Sequence, residues 1–130
     1  NRVLGCRIGP NTAAENIDVK EGTRGGVIAG NLLLGGGLRG ENYGDSWVDL
    51  KGNDYVVEEN HGRGSPLDGF QVHVVLDGWG QGHVLRRNLA EVEGPGLGFR
   101  IDSRASGVVV RCDNRVRAAA EGFANVECEP

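Results

Sequence analysis

No stretch of this 130-residue chain approaches the ~20 consecutive apolar residues that a membrane-spanning helix needs. No charged-then-apolar leader opens it either, so any signal peptide has been removed or lies outside this sequence. Long amphipathic helical segments are missing too. The best of them, Arg115 to Gly122, is short and polar on most sides, which points to an all-β protein. Basic runs are lacking at a formal charge of −4, whereas a nucleic-acid binder shows a basic stripe and a high pI. No Cys or His pair has the spacing of zinc ligands. The 23 glycines follow no collagen triplet. Gly35-Gly-Gly-Leu-Arg-Gly40 and Gly94-Pro-Gly-Leu-Gly98 lack the strand-to-helix setting of a phosphate loop and read as variable loops. Only 38% of residues are hydrophobic, yet they are patterned, which argues against disorder.

What the chain does contain is a degenerate repeat. Asn16-Ile-Asp-Val-Lys-Glu-Gly22, Trp47-Val-Asp-Leu-Lys-Gly-Asn53, Gly69-Phe-Gln-Val-His-Val74 and Gly98-Phe-Arg-Ile-Asp-Ser103 each alternate apolar and polar with period two. A second series interleaves with them: Val27-Ile-Ala-Gly-Asn31, Val56-Val-Glu-Glu-Asn60, Val84-Leu-Arg-Arg-Asn88 and Val109-Val-Arg-Cys-Asp113, with Arg2-Val-Leu-Gly-Cys6 as a truncated first copy. The Asn-type positions recur after 29, 28 and 25 residues, a period that signals a solenoid. A drifting period means loops of different length inserted into equivalent coils, so the sequence predicts a single parallel β-helix domain, 1–130, of about four to five coils.

In such coils Ile17/Val19, Val48/Leu50, Phe70/Val72 and Phe99/Ile101 point inward. Asp18/Lys20, Asp49/Lys51, Gln71/His73 and Arg100/Asp102 point to solvent as two side-by-side ladders about 4.8 Å apart from strand to strand. Asn31, Asn60 and Asn88, with Asp113 in the same place of the last coil, are read as scaffold. Asn tolerates left-handed backbone, and its amide can bond the chains above and below a repeated corner. Cys112 and Cys128 can close a loop of about 17 residues, worth roughly 3 kcal/mol as a disulfide; two reduced, half-buried thiols are the alternative. Cys6 is then left over, either buried and free or partnered upstream. Residues 115–130 are expected to cap one open end of the solenoid. The start at Asn1, inside a coil, suggests a fragment, a processed chain, or an edge covered by another subunit.

The stacked coils, the Asn corner and Asp45-Ser-Trp-Val-Asp-Leu-Lys-Gly-Asn53 resemble secreted right-handed parallel β-helix proteins of the pectate-lyase-like superfamily, across about residues 1 to 128. Ile17-Asp-Val-Lys20 followed by Val27-Ile-Ala-Gly-Asn31 is similar to the segment around the lysine of alginate- and chondroitin-cleaving lyases. The resemblance implies an extracellular protein acting on an acidic polysaccharide, by β-elimination or hydrolysis.

Elimination from a uronate needs its carboxylate neutralised and a base at the adjacent proton. Lys20, Lys51 and His73 form one ladder and are the base candidates, with like charges expected to depress one another's pKa. His73 titrates closest to neutrality; His61 and His83, in or beside turns, are weaker candidates. Asp18 and Asp49 are a candidate calcium site. Arg100 and Gln71, with Trp79 and Tyr43 on flanking loops, are candidates for holding the sugar. Trp47 is expected at a strand start and Tyr55 near a corner, both packed. The alternative is a non-catalytic binding, adhesion or assembly module, since alternating Asp and Lys also keep a β-face soluble and in register.

Overall fold

The structure, a computed structural model, describes residues 1–130 apart from the Asn42 side chain. The first coil consists of β1 (Arg2–Leu4), β2 (Arg7–Ile8) and β3 (Ile17–Val19). The second is β4 (Val27–Ala29), β5 (Leu32–Leu34) and β6 (Val48–Leu50). The third is β7 (Val56–Glu58), β8 (His61–Arg63) and β9 (Phe70–Val72). The fourth is β10 (Val84–Arg86), β11 (Leu89–Gly94) and β12 (Leu97–Ile101), and the last is β13 (Val109–Val110), β14 (Arg115–Ala119) and β15 (Gly122–Ala124). Every third strand pairs in parallel, giving sheet A (β1-β4-β7-β10-β13), sheet B (β2-β5-β8-β11-β14) and sheet C (β3-β6-β9-β12-β15). This is a parallel β-helix, and among the described residues its only helical turn is the 3-10 segment Gly40–Asn42.

Most strands are three residues long because a corner follows wherever the period-two pattern ends. The inward residues stack as expected: Val48, Leu50, Phe70, Val72, Phe99 and Ile101 are buried in register on sheet C. Phe70 and Phe99 stack at 5.2 Å, and Trp47 meets Phe70 edge-on at 5.5 Å. Trp47 and Tyr55 are both buried, as read from the sequence. Sheet B makes room for the indole at Gly62, where a Cβ would lie 2.2 Å from the Trp47 ring. The indole N–H donates to Gly64 O at 2.7 Å, so the one polar atom of this large side chain is satisfied.

The corner between sheets A and B is held by a ladder of carboxamides. Asn60 Oδ1 accepts from the Asn31 backbone N–H at 3.0 Å and from Asn31 Nδ2 at 2.9 Å, and Asn60 Nδ2 donates to Ile28 O at 2.9 Å. Asn88 repeats this toward Asn60. The last rung is Asn114 and not Asp113: Asn114 Oδ1 takes the Asn88 N–H, while exposed Asp113 only receives the Arg87 N–H. A carboxylate could not supply the donor that Asn114 Nδ2 gives to Leu85 O. The left-handed residue is also not the Asn itself. It is the residue before it, Gly30, Glu59 and Arg87, as is Gly5 before Cys6, with φ between 51° and 65°. Cys6 occupies the first rung through its backbone N–H to Asn31 Oδ1; its thiol is exposed and free, not buried.

Cys112 and Cys128 are disulfide-bonded. Residues 115–130 lie at one end of the solenoid. They add strands β14 and β15 to sheets B and C, and the tail returns to pair Glu129 with Arg111. At the other end, β1, β2 and β3 are edge strands. A hollow of about 390 Å³ there, lined by Val3, Ile17, Val19, Val27, Ile28 and Tyr55, is the open end of the core column.

Replacing Asn60 by Ala leaves the Asn31 N–H and Ile28 O without partners inside the corner. It is expected to cost about 2–4 kcal/mol in a urea melt, and Asn114→Ala a similar amount, whereas Asp113→Ala should cost under about 1 kcal/mol.

Candidate functional site

Sheet C aligns Asp18 with Asp49, Asp49 with Gln71 and Gln71 with Arg100. The residues after each strand stack as a second column, because the Lys51 N–H bonds Val19 O, the His73 N–H bonds Leu50 O and the Asp102 N–H bonds Val72 O. Lys20, Lys51 and His73 thus share one face with Asp18 and Asp49, as the alternation predicts.

The columns do not remain separate ladders; they interlock. Lys51 Nζ lies 2.7 Å from Asp18 Oδ1 and 3.3 Å from Asp49 Oδ2, Lys20 Nζ lies 2.7 Å from Asp18 Oδ2, and His73 Nδ1 lies 2.7 Å from Asp49 Oδ1. Burial works against charge on Lys51, but its hydrogen bond to Asp18 and the charges of Asp49 and Asp18 outweigh it and hold the ammonium well above its ordinary pKa. The expected depression by neighbouring lysines is overturned, since a carboxylate stands between each pair of cations. Asp18 is itself lowered: burial opposes its charge, and hydrogen bonds from Lys20 and Lys51 overcome that. His73 is raised above its usual value, chiefly by its hydrogen bond to Asp49, with burial opposing. That bond occupies Nδ1 and leaves Nε2 as the available ring nitrogen.

Two positions expected in solvent are covered. Asp49 and Gln71 are buried, Asp49 against the Lys51 ammonium and His73 imidazole that it pairs with and Gln71 against Asp68 of the β8–β9 connection. Gln71 Nε2 donates to Asp68, and Arg100 is committed to the same carboxylate, Nε to Oδ2 at 2.7 Å, and to Glu121 at 3.1 Å. Gln71 is thus buried with its Nε2 bound to Asp68, and Arg100, half-exposed, is paired with two carboxylates. Asp68, wholly buried, also accepts the Leu97 N–H at 2.7 Å and is the hub of this network. Nothing in its sequence neighbourhood marks it, because it stands in a loop without periodicity.

Above the interlocked charges lies a depression of about 260 Å³ lined by Glu15, Tyr43, Asp45, Asp49, Lys51 and His73. Tyr43 is 83% exposed at its rim. Glu15 and Asp45 were not singled out from the sequence; burial, helped by the Asp18 and Asp49 charges, raises the Glu15 pKa. Trp79 does not line this depression. Arg24 sits over its ring at 5.2 Å, as a cation–π pair. As a calcium site Asp18 and Asp49 fit poorly, because their oxygens are already engaged by two ammonium groups and an imidazole. Among the described residues no cluster of three Asp, Glu, His or Cys side chains is arranged to hold a metal.

The other two histidines differ. His61 Nε2 meets Glu91 Oε2 at 2.6 Å on the outside of sheet B. His83 is completely buried; its Nδ1 accepts the Tyr55 N–H at 3.2 Å, and among the described residues Nε2 has no partner within ordinary hydrogen-bond geometry. Burial pushes His83 down to about 4, with the Gly52 backbone and the Asp54 charge opposing only in part.

No protein-family model matches the sequence, and no curated protein does so. Among solved structures, the chain is similar to the crystal structure of an alginate lyase from Paenibacillus sp. str. FPU-7. The TM-score is 0.81 and the identity 34%, over 92% of this chain and 42% of that one. The fold is that of the polysaccharide-lyase-like β-helix proteins, and this chain spans less than half the length of the structure it matches.

Because His83 is neutral in the fold and charged in the unfolded chain below its ordinary value of 6.5, the unfolded state binds the extra proton as pH falls from 6.5 to about 4. Stability is lost across that window, by about 3 kcal/mol from this residue alone. The stability gap between the protein and a His83→Gln variant should therefore shrink by about that amount between pH 7 and pH 4 in chemical denaturation.

Proposed function

We propose that the depression on sheet C binds a uronate of an acidic polysaccharide and cleaves the chain there by β-elimination. The observation that carries this reading is the juxtaposition of a locked ammonium, Lys51, with a carboxylate-oriented imidazole, His73, at one rim. Lys51, kept protonated by Asp18 and Asp49, neutralises the uronate carboxylate and so acidifies the C5 proton. His73, oriented by Asp49 through Nδ1, takes that proton on Nε2. The C5–H electrons become the C4–C5 double bond, the C4–O bond breaks, and the leaving oxygen takes a proton from solvent or from the Tyr43 phenol at the rim. Lys20, more exposed and bound only to Asp18, is a secondary contact for the polymer. No step runs through calcium. The similarity to an alginate lyase supports the substrate class. The Cys112–Cys128 bridge supports an oxidising, extracellular setting.

The same pairing favours a second reading. A face on which each ammonium already has a carboxylate is also what a non-catalytic binding or assembly module presents.

Ultraviolet absorbance of unsaturated uronate, followed with alginate, pectate, chondroitin sulfate and heparin, with and without calcium, separates the two. We expect signal with at least one polymer, lowered about 100-fold or more in Lys51→Ala and His73→Ala. Silence across the panel would favour the non-catalytic module or an incomplete enzyme.

A further inference from the structure

The outer face of sheet B has a different electrical character from that of sheet C. Parallel register places Arg7, His61 and Arg115 in one row, interleaved with Leu32 and Leu89. The next row holds Leu34, Arg63, Glu91 and Arg117. The strands of this sheet therefore bring together four arginines against two glutamates, Glu91 and Glu93, in a chain whose net charge is −4. Glu91 gives its close contact to His61, at 2.6 Å, and stands 3.6 Å from both the Arg63 and the Arg117 guanidinium. Those two side chains are 59% and 64% exposed. Among the described residues, Arg7 and Arg115 have no acidic partner at all. Arg115 also borders a depression of about 330 Å³ with Arg87, Asn88, Leu89 and Asp113, at the corner of the Asn ladder.

We propose that this strip, running along the solenoid from Arg7 to Arg117, is a second binding surface for an anionic polysaccharide, separate from the depression on sheet C. Five strands at about 4.8 Å make it about 19 Å long, enough to engage several charged groups of one polymer at once. Guanidinium forks pair with carboxylate or sulfate oxygens, and the half-buried leucines between them offer apolar contact to the carbon faces of sugar rings. A polysaccharide fits better than a nucleic acid, since the strip presents no Phe, Tyr or Trp on which a base could stack, and its one imidazole is held by Glu91. The inference rests on the polysaccharide reading of the preceding section and adds a place where the polymer is held without being cut.

Affinity electrophoresis through gels containing alginate or chondroitin sulfate tests it, with neutral dextran and single-stranded DNA as controls. The variants are Arg7→Ser/Arg115→Ser, Arg115→Ser/Arg117→Ser and, for the other face, Lys51→Ala; circular dichroism checks that each keeps its β-sheet. The expected result is retention of the parent protein by an acidic polysaccharide, weakened about five-fold in both arginine double variants. That is the order of magnitude of two solvent-exposed ionic contacts, and the salt dependence should be shallower as well. Lys51→Ala should remain retained even where it no longer releases unsaturated uronate. Retention that survives the arginine changes but fails in Lys51→Ala overturns the sheet B surface while leaving the sheet C site standing. Tighter retention by DNA than by either acidic polysaccharide, or no retention by any acidic polymer, overturns it as well.

Discussion

Each coil is fastened to the next at one corner by a carboxamide that is donor and acceptor at the same time. Asn31, Asn60, Asn88 and Asn114 form a continuous buried ladder in which each side chain closes the backbone groups of the coil before it. A strand of three residues has too few ladder bonds to fix its own register. Buried polar groups that accept only one alignment fix it instead, because a slip of one residue would orphan several of them. The aromatic column of Trp47, Phe70, Phe99 and Phe123 then fills a cross-section whose register is already set.

Register is what turns scattered residues into chemistry. Asp18 and Lys51 are 33 positions apart and meet at 2.7 Å only because β3 and β6 are paired without offset. The same stacking sets a carboxylate between successive cations on sheet C, so that face is nearly self-neutralised. On sheet B it places arginines beside leucines and leaves positive charge unspent. One scaffold thus presents two faces of opposite economy: a tight charged network suited to positioning a proton, and an open cationic strip suited to holding a polymer.

The inward columns and three of the four ladder asparagines were legible in the sequence because both rest on period and spacing. Ile17/Val19 and their counterparts alternate with period two, and Asn31, Asn60 and Asn88 each stand four residues after the start of a strand. The last corner holds one residue more, next to the disulfide-bonded Cys112, so the same count stops at Asp113 and misses Asn114. Burial of Asp49 and Gln71 was not legible, because the period-two alternation places both on the outward side of the strand. Nor was the state of Lys51: spacing puts lysine above lysine, but side-chain length lets each reach diagonally to the aspartate column. The commitment of Arg100 to Asp68 was hidden for the same reason.

The central claim is that Asp18, Lys51, Asp49 and His73 form one electrostatic unit across three coils. Titrating the His73 ring by NMR tests it most directly. The account predicts a pKa above the ordinary 6.5, a proton on Nδ1 shared with Asp49, and a downward shift in Asp49→Asn. A His73 that titrates at or below its ordinary value and ignores Asp49→Asn would contradict it.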